Sequence, residues 1–186
     1  MIASPMLSAY GANGGSLDIE KATVTTDPNE IEAILKTHGH ISTNGDDGAF
    51  GYGVLTKKGL DAIIVSTTHK GVKDSEEQKN KDDPVWHNHF VKLSENSKEC
   101  GKDLKIEQIT FESPGNVNIN QETAKLTDIP SKFTGTDALS KDKLTLNPGT
   151  NVKDVVSFKL DPKFEKGKLD AVCVTDVHPA DEVEVK

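Results

Sequence analysis

The stretch Val85-Trp86-His87-Asn88-His89-Phe90-Val91-Lys92-Leu93 decides how the rest of the chain is read. On an extended strand successive side chains alternate between faces. Val85, His87, His89, Val91 and Leu93 then share one face, and Trp86, Asn88 and Phe90 the other. The pattern predicts a strand with two imidazoles held side by side among apolar neighbours. Phe90 and Trp86 are expected to fill the core behind the histidine face, with ligand stacking as a second role for Trp86.

Working outward, short apolar runs separated by turn signals predict further strands. Ser16–Thr26 alternates loosely. Ala49–Thr56 and Leu60–His69 read as a hairpin across Lys57-Lys58-Gly59, where Gly59 is free to take positive φ. Leu104–Glu112 alternates cleanly, Asn116–Leu126 carries a short strand or two, and Lys143–Leu146 is a short strand within an otherwise loop-like Ile129–Asn151. Val152–Leu160 and Lys168–His178 are the last two. One helix is expected, starting at Asp27-Pro28-Asn29-Glu30: Asp27 suits the N-cap, Pro28 the first helical position and Glu30 a capping box. Ile31, Ile34, Leu35 and His38 follow at helical spacing and Gly39 ends it, so His38 and His40 are assigned to the helix end and its exit turn. The sum is an all-β fold, an antiparallel β-sandwich of jelly-roll or immunoglobulin-like type, with one short N-terminal helix.

Four histidines fall in strands or at strand ends: His69, His87, His89 and His178. Imidazole is the commonest ligand of zinc and copper, and a metal needs three or four such groups within about 2.0–2.1 Å. A sheet supplies them as a pair at i and i+2 on one strand plus others from its neighbours. His87 and His89 are that pair, His69 the expected third ligand, and His178 the fourth, with Asp176 as an additional ligand or proton acceptor. An open position would let the metal activate a water, as in a hydratase or hydrolase; a closed set would be structural or carry copper. The strand-borne His-x-His resembles the one that opens the zinc site of α-class carbonic anhydrases and the copper site of copper/zinc superoxide dismutases. That resemblance covers a tripeptide and one or two distant histidines, and it implies site geometry only.

An internal echo supports two of these placements. Leu60–His69 and Leu169–His178 share the pattern L-D-A-x-x-V-[ST]-x-x-H, each delivering a histidine at the end of an apolar strand. Between the first echo and the histidine strand, Lys70–Asp83 (KGVKDSEEQKNKDD) is a dense run of mixed charge, expected as a solvated loop. Calcium on the acids of Asp74–Asp83 is the lesser alternative, because the run lacks the D-x-[DN]-x-[DN]-G order of a dedicated loop.

The chain of 186 residues sets the outer limits. One domain is expected over residues 16–178, preceded by a signal-peptide remnant or flexible tail at 1–15 and followed by an exposed acidic tail at 179–186. A formal charge of −8 and a pI near 5.2 argue against nucleic-acid partners, and no apolar run is long enough for a membrane span. Low mean hydropathy (−0.51) with clustered apolar runs suits a β-domain with polar loops. Cys100, in a polar loop, and Cys173, in an apolar strand, are expected either to form a disulfide in an oxidising compartment or to remain free thiols. Met1–Gly15 leans towards export, hence an extracellular or cell-surface address. No G-x-S-x-G elbow or P-loop is present. A non-enzymatic structural, adhesive or filament-forming module also fits this composition, forming homo-oligomers by strand addition with Ser16–Thr26 as the donated segment. That module is the alternative to the first reading, the metal protein, whose small-molecule substrate the sequence does not name.

Overall fold

The computed structural model describes residues 15–186, which form thirteen strands and a single 3-10 turn at Gly59–Asp61. The signal-peptide expectation for residues 1–15 lies, but for Gly15, outside the described residues. Strands β3 (Phe50–Thr56), β4 (Ile63–Thr68), β5 (His87–Ser94), β6 (Leu104–Ile109), β11 (Val152–Glu165) and β12 (Lys168–Pro179) close into a six-stranded antiparallel barrel in the order β11-β12-β6-β5-β4-β3. A second sheet packs on one side of it: β1 (Ile19–Thr26), β2 (Glu30–Thr37), β7 (Asn116–Asn120), β8 (Thr123–Pro130) and β13 (Glu182–Val185), in the order β13-β1-β2-β8-β7. β9 (Phe133–Thr136) and β10 (Lys143–Leu146) form a small hairpin.

The all-β, antiparallel expectation therefore holds, while the two-sheet sandwich becomes a barrel with an added sheet. Closure removes the edges that β3 and β11 would expose in an open layer, because each finds the other as a neighbour. Alternation then gives every barrel strand one side chain inward and the next outward. Outward-facing Phe50, Tyr52, Val54, Ile64, Phe90 and Val155 pack against Ala22, Val24, Ile31, Ala33, Leu35 and Leu126 of the second sheet. Trp86 belongs to this layer: it stacks on Tyr52 at 5.6 Å, and its indole N–H donates to Ser42 O at 2.9 Å. Its second expected role, stacking on a ligand, is not the one this packing gives it. Inward-facing Ile63, Val65, Val91, Leu93, Ile106 and Val174 form a separate apolar cluster inside the barrel.

The expected N-terminal helix is a strand. Asp27-Pro28-Asn29 is the turn of the β1–β2 hairpin: Asn29 N–H donates to Asp27 Oδ1 at 2.8 Å, and Asp27 N–H donates to Glu30 O at 3.0 Å. The same short polar side chain that caps a helix also closes an Asx-turn. Beyond it, Ile31, Ala33, Leu35 and Thr37 are buried with period 2, whereas Ile34 is left 42% exposed, so pairing with β1 and β8 overrides the helical spacing. His38 and His40 consequently follow a strand. Both are exposed, and His38 Nε2 lies 3.4 Å from Asp181 Oδ2.

β1, the segment considered for donation to a neighbour, is paired on both sides within its own chain. Pro179–Lys186, expected as a tail, ends in β13, which runs parallel to β1 with Ala22 opposite Val183. Cys100 and Cys173 form a disulfide, Cα–Cα 5.5 Å, which ties the loop after β5 to the outer face of β12. Among the described residues, no helix is long and apolar enough to cross a membrane.

Candidate metal centre

The inner face of β4 runs Ile63, Val65, Thr67 and then His69 just past the strand end; that of β5 runs His87, His89, Val91, Leu93. The antiparallel register sets Val65 opposite His89 and Thr67 opposite His87, so His69 falls diagonally next to His87. The ring centroids of His69 and His87 are 5.0 Å apart and those of His87 and His89 4.7 Å, both pairs edge to face. All three histidines are buried, His87 and His89 completely.

A carboxylate completes the group. Asp74 Oδ1 lies 3.1 Å from His69 Nε2, 3.3 Å from His87 Nε2 and 3.6 Å from His89 Nε2. The four ligand atoms lie within 4.8 Å of one another, a grouping that could hold a metal ion. Asp74 comes from the Lys70–Asp83 run, and the loop around it is built rather than loose. The buried Gln78 amide accepts from the backbone N–H groups of Asp74 and Ser75 at 3.0 and 3.2 Å, and donates to Val72 O and Asp83 O at 3.1 and 3.3 Å. Glu76 ties the loop to the segment after β6: its N–H donates to Phe111 O, and its carboxylate accepts from Ser113 N–H. The calcium reading of this run loses its first acid, since Asp74 turns inward while Asp82 points to solvent beside Lys81.

A second hydrogen bond orients two of the three rings. His87 Nδ1 lies 2.8 Å from Val85 O and His89 Nδ1 2.6 Å from Thr110 O. A carbonyl only accepts, so both Nδ1 atoms carry the proton, and in the neutral ring Nε2 is left as a bare lone pair. The Nε2 atoms of all three rings converge on a carboxylate oxygen. His87 Nε2 has a weak contact with Thr67 Oγ1 at 3.4 Å, but His69 Nε2, His89 Nε2 and Asp74 Oδ1 are buried with no aligned hydrogen bond, close as they are. Burial pushes the His87 imidazole below its ordinary pKa, against the pull of Asp74. Burial also pushes the Asp74 carboxyl upward, but positive charge and N–H donors on the surrounding imidazoles outweigh it and hold Asp74 well below the usual carboxylate range.

The distances suit a small cation. For a tetrahedral ion at about 2.0–2.1 Å from each ligand, the ligand–ligand edge is about 3.3–3.4 Å, and the three Asp74–histidine separations straddle that value. Carbonyl-anchored Nδ1–H groups are also the usual way a ligating imidazole is oriented.

No family model, curated protein or solved structure matches this chain.

His178 and Asp176 are not part of the cluster. They sit on β12, where His178 Nε2 is 2.8 Å from Asp176 Oδ1 and Lys159 Nζ is 3.1 Å from Asp176 Oδ2. The Lys159 ammonium and the His178 ring hold the Asp176 carboxyl below its ordinary pKa. The cause of the separation is a β-bulge. Thr175 pairs with Lys159 and His178 with Ser157, so β12 carries one extra residue, and Asp176 takes φ +53°. After Val172 and Val174, the inward position passes to Val177, and His178 turns to the other face. β4 has no such insertion, and His69 stays inward.

Sequence reasoning missed Asp74. Five acids crowd the run from Asp74 to Asp83, and no spacing singles out one of them. The one local signal is Val72, an apolar residue in a charged stretch, which marks the point where the loop dips inward to line the barrel interior.

Proposed function

We propose that this protein binds a transition-metal ion, zinc or copper, through His69 Nε2, His87 Nε2, His89 Nε2 and Asp74 Oδ1. The observation that carries the proposal is the convergence of three buried Nε2 atoms on one buried carboxylate oxygen. Three of the four atoms, His69 Nε2, His89 Nε2 and Asp74 Oδ1, have no aligned hydrogen bond; buried polar atoms left so cost about 1–3 kcal/mol each, more when charged, and a cation removes that cost for all three at once. Three imidazoles and one carboxylate suit zinc and copper, whereas calcium prefers an all-oxygen shell.

His69, Asp74 and His89 also line the barrel's interior cavity. The cluster therefore borders open space, where an ion that expands its shell to a fifth ligand would polarise that ligand's oxygen. Hydration of carbon dioxide and hydrolysis of esters are the activities to assay, with superoxide turnover if the metal is copper. The Cys100–Cys173 disulfide supports an address outside the reducing cytosol, extracellular or at the cell surface.

The test is elemental analysis of protein made without a histidine tag, beside a His87→Ala/His89→Ala variant. One equivalent of zinc or copper in the parent, absent from the variant, is expected. No metal in the parent after incubation with either ion would overturn the proposal.

A further inference from the structure

The barrel is not filled. A cavity of about 180 Å³ runs through its interior, with His69, Asp74 and His89 in one wall. The rest of the lining is overwhelmingly hydrocarbon, contributed by all six barrel strands. Gly53 on β3 helps keep the space open: a Cβ there would meet Val156 Cγ2 at 3.3 Å. Packed interiors rarely leave such voids, and apolar cavities of about 150 Å³ bind single-ring hydrocarbons. Two exposed lysines, Lys70 and Lys73, border the same space beside Asp74.

Resting on the metal site proposed above, we infer that this cavity binds a small, mainly hydrocarbon molecule that ends in one acidic oxygen, a carboxylate or a phenolate. The hydrocarbon part lies among Val65, Val91, Ile106, Phe158 and Val174. The oxygen lies at the His69/Asp74/His89 wall, where it would join the ion as a fifth ligand. The volume limits the ligand to about one ring with a short substituent, and the walls reject a polyol or a sugar, whose hydroxyls would find no partners.

The probes are benzoate, phenol and toluene, titrated into zinc-loaded protein by calorimetry or ligand-observed NMR, with zinc content measured on the same sample. Benzoate or phenol is expected to bind at least about tenfold more tightly than toluene, the gain of one good polar contact in a small ligand. In the His87→Ala/His89→Ala variant that preference is expected to vanish. Val174→Phe, and independently Ile106→Phe, fill the cavity and are expected to keep one equivalent of zinc while losing all three probes. Stoichiometric zinc with no probe bound, or with toluene bound as tightly as benzoate and phenol, overturns the inference and leaves the metal site standing. A parent protein without zinc overturns the metal site, and the inference falls with it.

Discussion

Replacing Gln78 by alanine tests whether the charged loop is a built part of the site. Gln78 is 1% exposed, and its amide makes four hydrogen bonds, to the N–H groups of Asp74 and Ser75 and to the carbonyls of Val72 and Asp83. At about 1 kcal/mol net for each, the ceiling is about 4 kcal/mol; water entering the vacated space returns part of it, leaving about 2–3 kcal/mol. The four partners all lie between residues 72 and 83, so the loss falls on that loop and not on the barrel. Amide hydrogen exchange resolves the two. At 1.4 kcal/mol per factor of ten, exchange across 72–83 is expected to quicken by about 30- to 140-fold, with β6 and β12 unchanged. Zinc affinity is expected to fall about 10- to 100-fold, as when other supports of a ligand are removed. Unchanged exchange in the loop, or an equal rise throughout the chain, would refute the assignment of Gln78 as the residue that positions Asp74.

Other perturbations separate the parts of the structure. The Cys100–Cys173 disulfide closes a loop of 73 residues, so the Cys100→Ser/Cys173→Ser variant should lose about 4 kcal/mol by chain entropy, read by denaturant unfolding, while still binding metal. Phe90→Ala empties the layer between barrel and second sheet and should cost about 3–5 kcal/mol in the same assay. His178→Ala should leave metal content at the parent level, because the bulge at Asp176 holds that ring away from the cluster; loss of metal there would contradict the β12 register.

Period-two patterns carried most of what was legible in the sequence. The Val85–Leu93 alternation gives the correct faces because one side meets the barrel interior and the other the second sheet, and both penalise a slip of one residue. The Ala49–His69 hairpin and its Gly59 turn, with φ +58°, follow from equally local chemistry. The helix misreading is local as well. Asp27-Pro28-Asn29-Glu30 satisfies a helix start and a hairpin turn alike, and Ala33, weakly apolar, hides the alternation of Ile31, Ala33 and Leu35. Barrel closure depends on β3 meeting β11 across roughly a hundred residues of chain, and no local pattern encodes that pairing.

Within the site, three of the four cluster residues were named from the sequence: His69, His87 and His89. Asp74 was not, because its position depends on a loop shaped by one buried amide. His178 was named in error of placement, since an inserted residue in a strand reverses a side chain without altering composition or hydropathy.

The most direct measurement is an anomalous difference map from crystals of the zinc-loaded protein. One strong peak is expected, about 2.0–2.1 Å from the Nε2 atoms of His69, His87 and His89 and from Asp74 Oδ1. A map with no peak there, or with zinc only at the surface group of half-buried Asp18 with exposed His38 and Asp181, would overturn the metal site.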